Sequence, residues 1–487
     1  MPAPATPYVT LDHAGRQQLK ITFDGPRIVS DAGLLAVRDL DRRLGVLAGL
    51  AELFPDPRSA KYRTHSTEAL LIQQVYQLLA GYPDGDDANA LRTDPLFQIL
   101  ADVAPDPERP LASGSTLARF QYAFTRRQAE LPLQERPVLL EVRHAQCERV
   151  KLFNRYLLGL FVRTRRTPPA EVILDLDATD DPVHGRQHLA AYHGYYRQHQ
   201  YLPLLVYDGH SGFPLAVWLR PGAVHASCGA VAVLAEVVAA LRAAWPGVRL
   251  VVRGDSGLAV PEVYEFCEAE DLSYALGYGS NAVLERATEQ ALADVELYYA
   301  FYGQREPHVQ RYEELPGYQA GTWPHPRRVV AKIERTPQGS QRRFVVTNLT
   351  DRAEAVYRDF YVQRGAVPEQ PIGELKNGLQ ADRLSAHGFC ANALRLALHV
   401  VAQALVVLWR EAAAAAGLAE VARSSVGTLR QKLWKVGAVV RVSARRVWLQ
   451  VSASWPGQQL WARLCAAGAV FATTLGRPGP ACAEVVM

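Results

Sequence analysis

Cysteine is scarce and scattered. Cys147, Cys228, Cys267, Cys390, Cys465 and Cys482 form no C-x-x-C pair, which argues against a zinc ribbon or a disulfide-stapled scaffold and suits a reducing cytosol. Two enzyme signatures are also missing. There is no G-x-S-x-G, so a hydrolase nucleophile elbow is not expected. No glycine fingerprint follows a strand and opens a helix, so a dinucleotide enzyme is not expected either. The N-terminal MPAPATPYVT lacks an apolar h-region and a basic n-region, so no signal peptide is expected. Internal repeats and low-complexity tracts are absent. The apolar run from Phe389 to Leu418 is interrupted by Arg395, His399, Gln403 and Arg410. Those residues are costly in hydrocarbon, so a buried core helix is expected rather than a membrane span. Charge of either sign is nearly balanced, at +4 over 487 residues, so local clusters matter more than the net value.

What is present is organised around EVILDLDATDDP at 171–182. The run Val172-Ile173-Leu174 reads as a buried strand. Asp175 and Asp177 follow at alternate positions and share one face. A carboxylate at the end of a buried strand is costly unless it is paired or bound to a cation, and either residue is a candidate first ligand. A second strand, Arg249-Leu-Val-Val-Arg-Gly, delivers Asp255 at its carboxyl end, with Gly254 and Gly257 expected to permit a tight turn. The third carboxylate is sought between Tyr361 and Lys376. Pro368 can open a helix and put Glu369 in its first turn, with Lys376 two turns on along the same face. Tyr361 and Arg364 lie one turn apart just before. Glu374 is the rival on that helix, but it shares a face with neither Glu369 nor Lys376. Three oxygen ligands suit Mg²⁺ or Mn²⁺. Beside a cation and a polar aromatic, they suit work on a phosphodiester.

The length calls for two or three domains. Residues 1–165 read as a helical N-terminal DNA-binding domain, after a short strand at LKITFD. One helix starts at Ser30 or Asp31 and a second runs from Thr67 to about Gly81. A third is capped by Ser115 or Thr116 and carries Arg119, Arg126 and Arg127, an order that suits a helix-turn-helix. A further helix is expected from about Pro137 to Tyr156, then a basic linker from Arg163 to Pro169. Residues 166–284 alternate strands and helices as an α/β core. A mostly β insertion is expected at 285–342, and the core resumes over 343–418 with Arg343-Phe-Val-Val-Thr-Asn. The region 419–487 is basic: Arg423, Arg430, Lys432, Lys435, Arg441, Arg445 and Arg446 occur with no acidic residue between Val421 and Gln450. Gly437 to Leu449 reads as a strand pair, and such a run can neutralise phosphates.

The ordered set DLDATDDPVHG, HGYY, YLPLLVYDG, RGDSG, then Y-x-x-R and E-x6-K resembles the DDE transposases of bacterial insertion sequences. The resemblance is greatest to the insertion sequence 1380 group, within the set that carries a Tyr-Arg-Glu-Lys signature. It covers most of the chain and is strongest over 171–280 and 361–451. It implies a ribonuclease-H-like catalytic core with Asp177, Asp255 and Glu369 as catalytic metal ligands. Tyr361, Arg364 and Lys376 would be the signature partners on DNA. The implied activity is Mg²⁺-dependent cleavage and strand transfer, with Mn²⁺ able to substitute. The implied substrates are double-stranded terminal inverted repeats and target DNA. A homodimer in the active complex, a nucleoid-associated place in the bacterial cytoplasm and no membrane partner are expected. The step from Arg364 to Glu369 is one residue longer than the family spacing. A metal-dependent nuclease without joining, and an inactive transposase-derived DNA-binding protein, are the alternatives.

Overall fold

The N-terminal helices form where leucines recur at helical spacing. The computed structural model describes residues 8–11, 19–54, 61, 63–125, 148–365 and 371–475. Strands β1 (Tyr8–Leu11) and β2 (Leu19–Thr22) pair antiparallel, and β3 (Ile28–Val29) follows. A 3₁₀ turn over Ala32–Leu34 leads into α1 (Leu35–Leu44) and α2 (Val46–Glu52). Helix α3 (Thr67–Ala80) lies where the sequence predicts it. Ser66 accepts the Ala69 N–H at 3.1 Å and Gly81 ends the helix at φ 92°, which satisfies both termini.

Helices α4 (Asp87–Leu91) and α5 (Pro95–Leu100) stand between α3 and α6 (Gly114–Thr125). The expected helix-turn-helix step is therefore not made by α3 and α6. The cap of α6 is also earlier than expected: Ser113 accepts the Thr116 N–H at 3.3 Å. Helix α7 (Glu148–Arg163) runs on past Tyr156; residues 137–147, like Arg126 and Arg127, lie outside the described residues. Arg165, expected in a linker, stacks on Phe161 at 4.4 Å and pairs with Glu411 at 2.8 Å.

The α/β part begins with β4 (Glu171–Ala178), β5 (Asp181–Pro182), β6 (Ala191–His193), β7 (Gln198–Tyr201), β8 (Leu204–Asp208) and β9 (Pro214–Trp218). Then come α8 (Ala230–Ala244), β10 (Arg249–Gly254), α9 (Pro261–Ala269) and β11 (Ser273–Tyr278). The expected mostly β insertion opens instead with two helices, α10 (Ala282–Ala287) and α11 (Glu289–Tyr302). Asn281 caps the first, and Leu284, Ala291 and Val295 are the buried positions. The aromatics of α11 imitate a strand pattern, while its sparse apolar stripe keeps helical spacing. Strands β12 (Val309–Tyr318), β13 (Arg327–Thr336) and β14 (Gly339–Thr347) follow.

These strands build one mixed eight-stranded sheet in the order β12-β13-β14-β11-β10-β4-β8-β9. Strand β10 is parallel to β4 and β11, whereas β8 runs antiparallel to β4 and β9 antiparallel to β8. Strand β14 pairs with β11, so the meander β12–β14 continues the core sheet. A separate small sheet has the order β5-β7-β6.

The apolar run forms α12 (Phe389–Ala415). It is the one described helix long and apolar enough to cross a membrane, and it lies buried inside the protein. Its polar residues have partners there: Gln403 donates to the Pro371 carbonyl at 2.7 Å, and Arg410 to Glu374. Strands β15 (Ala438–Val442) and β16 (Val447–Val451) form the expected hairpin, onto which β3 adds. Helix α13 (Gln458–Leu475) closes the described chain, with Gly468 over Leu40. One buried apolar cluster runs from Val29 to Phe471, so the chain's early and late helices share a core.

Candidate active site

Strand register brings the first two carboxylates together. Arg253 lies opposite Asp175 and Gly254 opposite Leu176, so Asp177 and Asp255 leave the parallel strands β4 and β10 side by side. They line a cavity of about 440 Å³, together with Asp175, Asp208, Tyr361 and Arg364.

Asp175 and Asp177 share that face but differ in their partners. Both oxygens of Asp175 accept from the buried Arg253, at 2.6 and 2.7 Å. Arg253 also donates to the Phe360 carbonyl at 2.7 Å and lies over the Phe360 ring at 5.1 Å. It therefore clamps β4 to the π-helical turn Ala355–Tyr361. Among the described residues the cation that pairs with Asp177 is Arg364, with Nη1 3.8 Å from its oxygen. Withdrawal from water raises the Asp177 pKa to about 6; Arg364 opposes the rise and the charge of Asp255 adds to it. Among the described residues the buried Arg364 Nη1 has no hydrogen-bond partner. A buried guanidinium nitrogen left unsatisfied is a seat for an anion.

Asp255 accepts the Gly257 N–H at 3.0 Å. The turn expected at Gly254 and Gly257 uses no left-handed backbone, since neither has a positive φ. Close packing explains them instead. A Cβ at Gly254 would sit 2.8 Å from Leu258, and one at Gly257 would sit 2.8 Å from Ala226. On β11, a Cβ at Gly277 would collide with the Tyr361 hydroxyl, so this glycine admits the phenol to the cavity. Burial raises the Tyr361 pKa; Arg364 opposes that, and Asp255 and Asp177 reinforce it.

Glu369 and Pro368 lie outside the described residues. Arg364 before them and Pro371 and Ile372 after them line the cavity. Glu374 does not. It is buried, both its oxygens accept from Arg410, and Oε1 also accepts the Val426 N–H at 2.8 Å. Lys376 grips the chain leaving β4: Nζ donates to Asp180 Oδ1 at 2.7 Å and to the Asp180 carbonyl at 2.9 Å. Among the described residues no three His, Cys, Asp or Glu side chains are grouped to hold a metal ion. The cavity carboxylates left without an ion pair shorter than 3.8 Å are Asp177, Asp208 and Asp255. Asp208 is already engaged by Ser211, which leaves Asp177 and Asp255 as the pair available to a cation.

Several cavity residues escaped the sequence reading. Arg342 and Arg343 of β14 line the wall that β11 and β14 supply, and nothing local in the sequence places them there. Arg253 did leave a signal. An arginine inside a buried strand needs an anionic partner, and Asp175 is the carboxylate at the matching register.

The basic candidates divide by exposure. Arg119 is exposed on α6 with local bonds, to the Ser115 carbonyl at 3.2 Å and the Thr116 hydroxyl at 3.4 Å. Lys432 is exposed beside Glu420 at 3.4 Å, and Lys435 lies over Tyr82 at 5.0 Å. Arg441, Arg445 and Arg446 are exposed on the β15–β16 hairpin, where Arg446 stacks on Trp448 at 5.9 Å. Arg430 is corrected. Its guanidinium points inward and donates to the carbonyls of Leu79 at 3.0 Å, Leu78 at 3.3 Å and Gly378 at 2.9 Å. The last carbonyls of α3 need donors, and Arg430 supplies them instead of a phosphate contact.

The sequence over residues 11–468 matches the family described as Transposase DDE domain group 1. No curated protein matches the chain. Seven chains of solved structures match. One belongs to the cryo-electron microscopy structure of the piggyBac transposase synaptic complex with hairpin DNA, at 12% identity over 84% of this chain and 80% of that one, with a TM-score of 0.38.

Proposed function

Because the chain belongs to the Transposase DDE domain group 1 family, we propose that it cuts DNA at the terminal inverted repeats of an insertion sequence of the 1380 group and joins the freed ends to target DNA. The observation that carries this is one cavity holding Asp177, Asp255 and Arg364, whose Nη1 makes no hydrogen bond among the described residues. A ribonuclease-H-like core is supported by the run β9-β8-β4-β10-β11, in which two antiparallel pairings are followed by two parallel ones.

The donor set fits a hard divalent cation. The charge of Asp255 raises the proton affinity of Asp177, and a cation relieves that repulsion. Asp177 and Asp255 would hold Mg²⁺ or Mn²⁺, with Glu369 as the third carboxylate. When bound there, the ion would lower the pKa of a water and polarise the phosphodiester. Arg364 donates to a non-bridging phosphate oxygen as charge develops there. Tyr361 borders the strand and fixes its approach. The released 3′-hydroxyl then attacks the phosphorus of a second phosphodiester, forming a new P–O bond as that linkage's own 3′-oxygen leaves and takes up the proton. Asp175 and Arg253 stay off the DNA and position the Tyr361–Arg364 turn. Lys376 positions the end of β4 through Asp180. Arg119, Lys432, Lys435, Arg441, Arg445 and Arg446 hold backbone phosphates farther out. Two element ends call for two copies of the chain, acting at the bacterial nucleoid.

A cleavage and joining assay tests this. Labelled DNA carrying the ends that flank the gene is incubated with protein and Mg²⁺, beside Asp255→Asn and Glu369→Gln. Metal-dependent nicking at the repeat tip, followed by joined product and lost in both variants, is expected. Nicking without joining would favour a nuclease. Tight end binding without nicking in either metal would mark an inactive copy.

A further inference from the structure

A second cavity opens between α3, α6 and α12 and shares no lining residue with the catalytic one. Its volume is about 50 Å³. A buried water needs about 10–15 Å³ of such space, so a group of about four heavy atoms fits. Three polar side chains line it from buried positions: Gln77 at 4% exposure, His399 at 2% and Arg395 at 9%.

Each of the three lacks something among the described residues. His399 Nδ1 lies 2.8 Å from the Arg395 carbonyl. A carbonyl only accepts, so Nδ1 carries the proton and Nε2 holds a lone pair. That buried Nε2 has no hydrogen-bond partner, and neither does the buried Gln77 Nε2, a donor. Burial brings the His399 pKa down to about 4; the bond to the Arg395 carbonyl opposes the fall and the Arg395 charge adds to it. The ring is therefore neutral at neutral pH. Arg395 donates to the Pro83 carbonyl at 3.3 Å but forms no ion pair with a described carboxylate. Asp84 borders the cavity from an exposed position. Burial lowers the Arg395 pKa against the charges of Asp84 and Tyr122. Water filling the cavity would satisfy the two nitrogens but bring no charge to offset the buried guanidinium.

We propose that this cavity binds a small oxyanion that keeps one proton, of the size of hydrogen carbonate. Its O–H donates to His399 Nε2, and its charged oxygens accept from Gln77 and Arg395. One ion thus answers an acceptor, a donor and a buried positive charge together. Chloride has no proton to give, and formate at neutral pH has none either. Each would set a lone pair against that of His399 Nε2. The bound ion ties the N-terminal helices α3 and α6 to the core helix α12. The site lies outside the proposed DNA chemistry and does not rest on it.

The test titrates the full, metal-free chain by calorimetry with sodium hydrogen carbonate, sodium formate and sodium chloride, at neutral pH and matched ionic strength. Hydrogen carbonate should bind saturably at a single site and raise the melting temperature. Formate and chloride should bind at least about tenfold more weakly. Gln77→Met and Arg395→Met each remove donors and should weaken hydrogen carbonate by about tenfold or more. A cooperative melt without the ion reports that each variant is folded. Gln77→Met keeps the side-chain volume and the Arg395 charge, and it decides the matter alone if Arg395→Met does not fold. Absence of saturable binding by wild type means a cavity filled by water and overturns the site. Equal affinity for formate or chloride overturns the proton-keeping ligand. Undiminished affinity in Gln77→Met places the ion elsewhere and overturns the site as well.

Discussion

Two carboxylates on one strand face, Asp175 and Asp177, should respond to mutation in opposite ways. Asp175→Asn strands the charge of the buried Arg253 and should cost about 3–5 kcal/mol in urea unfolding, as breaking a buried ion pair does. Asp177→Asn breaks no close pair. It should abolish nicking while raising the melting temperature of the metal-free protein at neutral pH. The sign follows from its pKa, raised in the fold from 3.8 to about 6. Between those values the native state holds a proton that the unfolded chain has released. Metal-free stability therefore falls as pH rises through that window, and the asparagine variant should lack the fall. Cation binding competes with the same proton, so metal affinity followed by titration calorimetry should drop about tenfold per pH unit below about 6. At this scale Asp177 and Asp255 were legible because each ends an apolar strand. Which of Asp175 and Asp177 is free was not, because that depends on Arg253, 78 positions away.

Among elements, the β15–β16 hairpin and the inward-turned Arg430 separate surface charge from structural charge. Replacing Arg441, Arg445 and Arg446 together by alanine should flatten the slope of log affinity against log salt by about three, near 0.9 per phosphate contact. Arg430→Ala should leave that slope alone. It should instead lower stability by about 1–3 kcal/mol, because carbonyls at the end of α3 lose their donors. Helix α3 and the hairpin were readable because their signals are local: Ser66 and Gly81 bracket one, and alternating valines mark the other. The two helices α10 and α11 were not, since their aromatics weigh toward strand and only three buried positions keep helical spacing. The inward aim of Arg430 was hidden too. Its acceptors come from segments about 350 and 50 positions away.

On the scale of the molecule, the sheet is continuous from β12 to β9, and this makes the meander β12–β14 part of the core rather than an appendage. Excising residues 309–347 leaves β11 as an open edge, with Ala275 and Leu276 uncovered. The shortened chain should aggregate in sedimentation assays, as unprotected strand edges do. The order of strands and helices in the α/β part could be read from the sequence; the shared burial of the early and late helices could not, because it rests on contacts such as Gly468 over Leu40. The chain order of the cavity residues also sets a schedule for synthesis. Asp177 and Asp255 leave the ribosome early, Arg364 comes more than a hundred residues later, and Arg410, which holds Glu374, later still. A message cut short before codon 364 therefore yields a product with two carboxylates and no anion seat. It also ends before the arginine hairpin, so under the proposed function such a fragment should neither cut DNA nor compete for it through Arg441, Arg445 and Arg446.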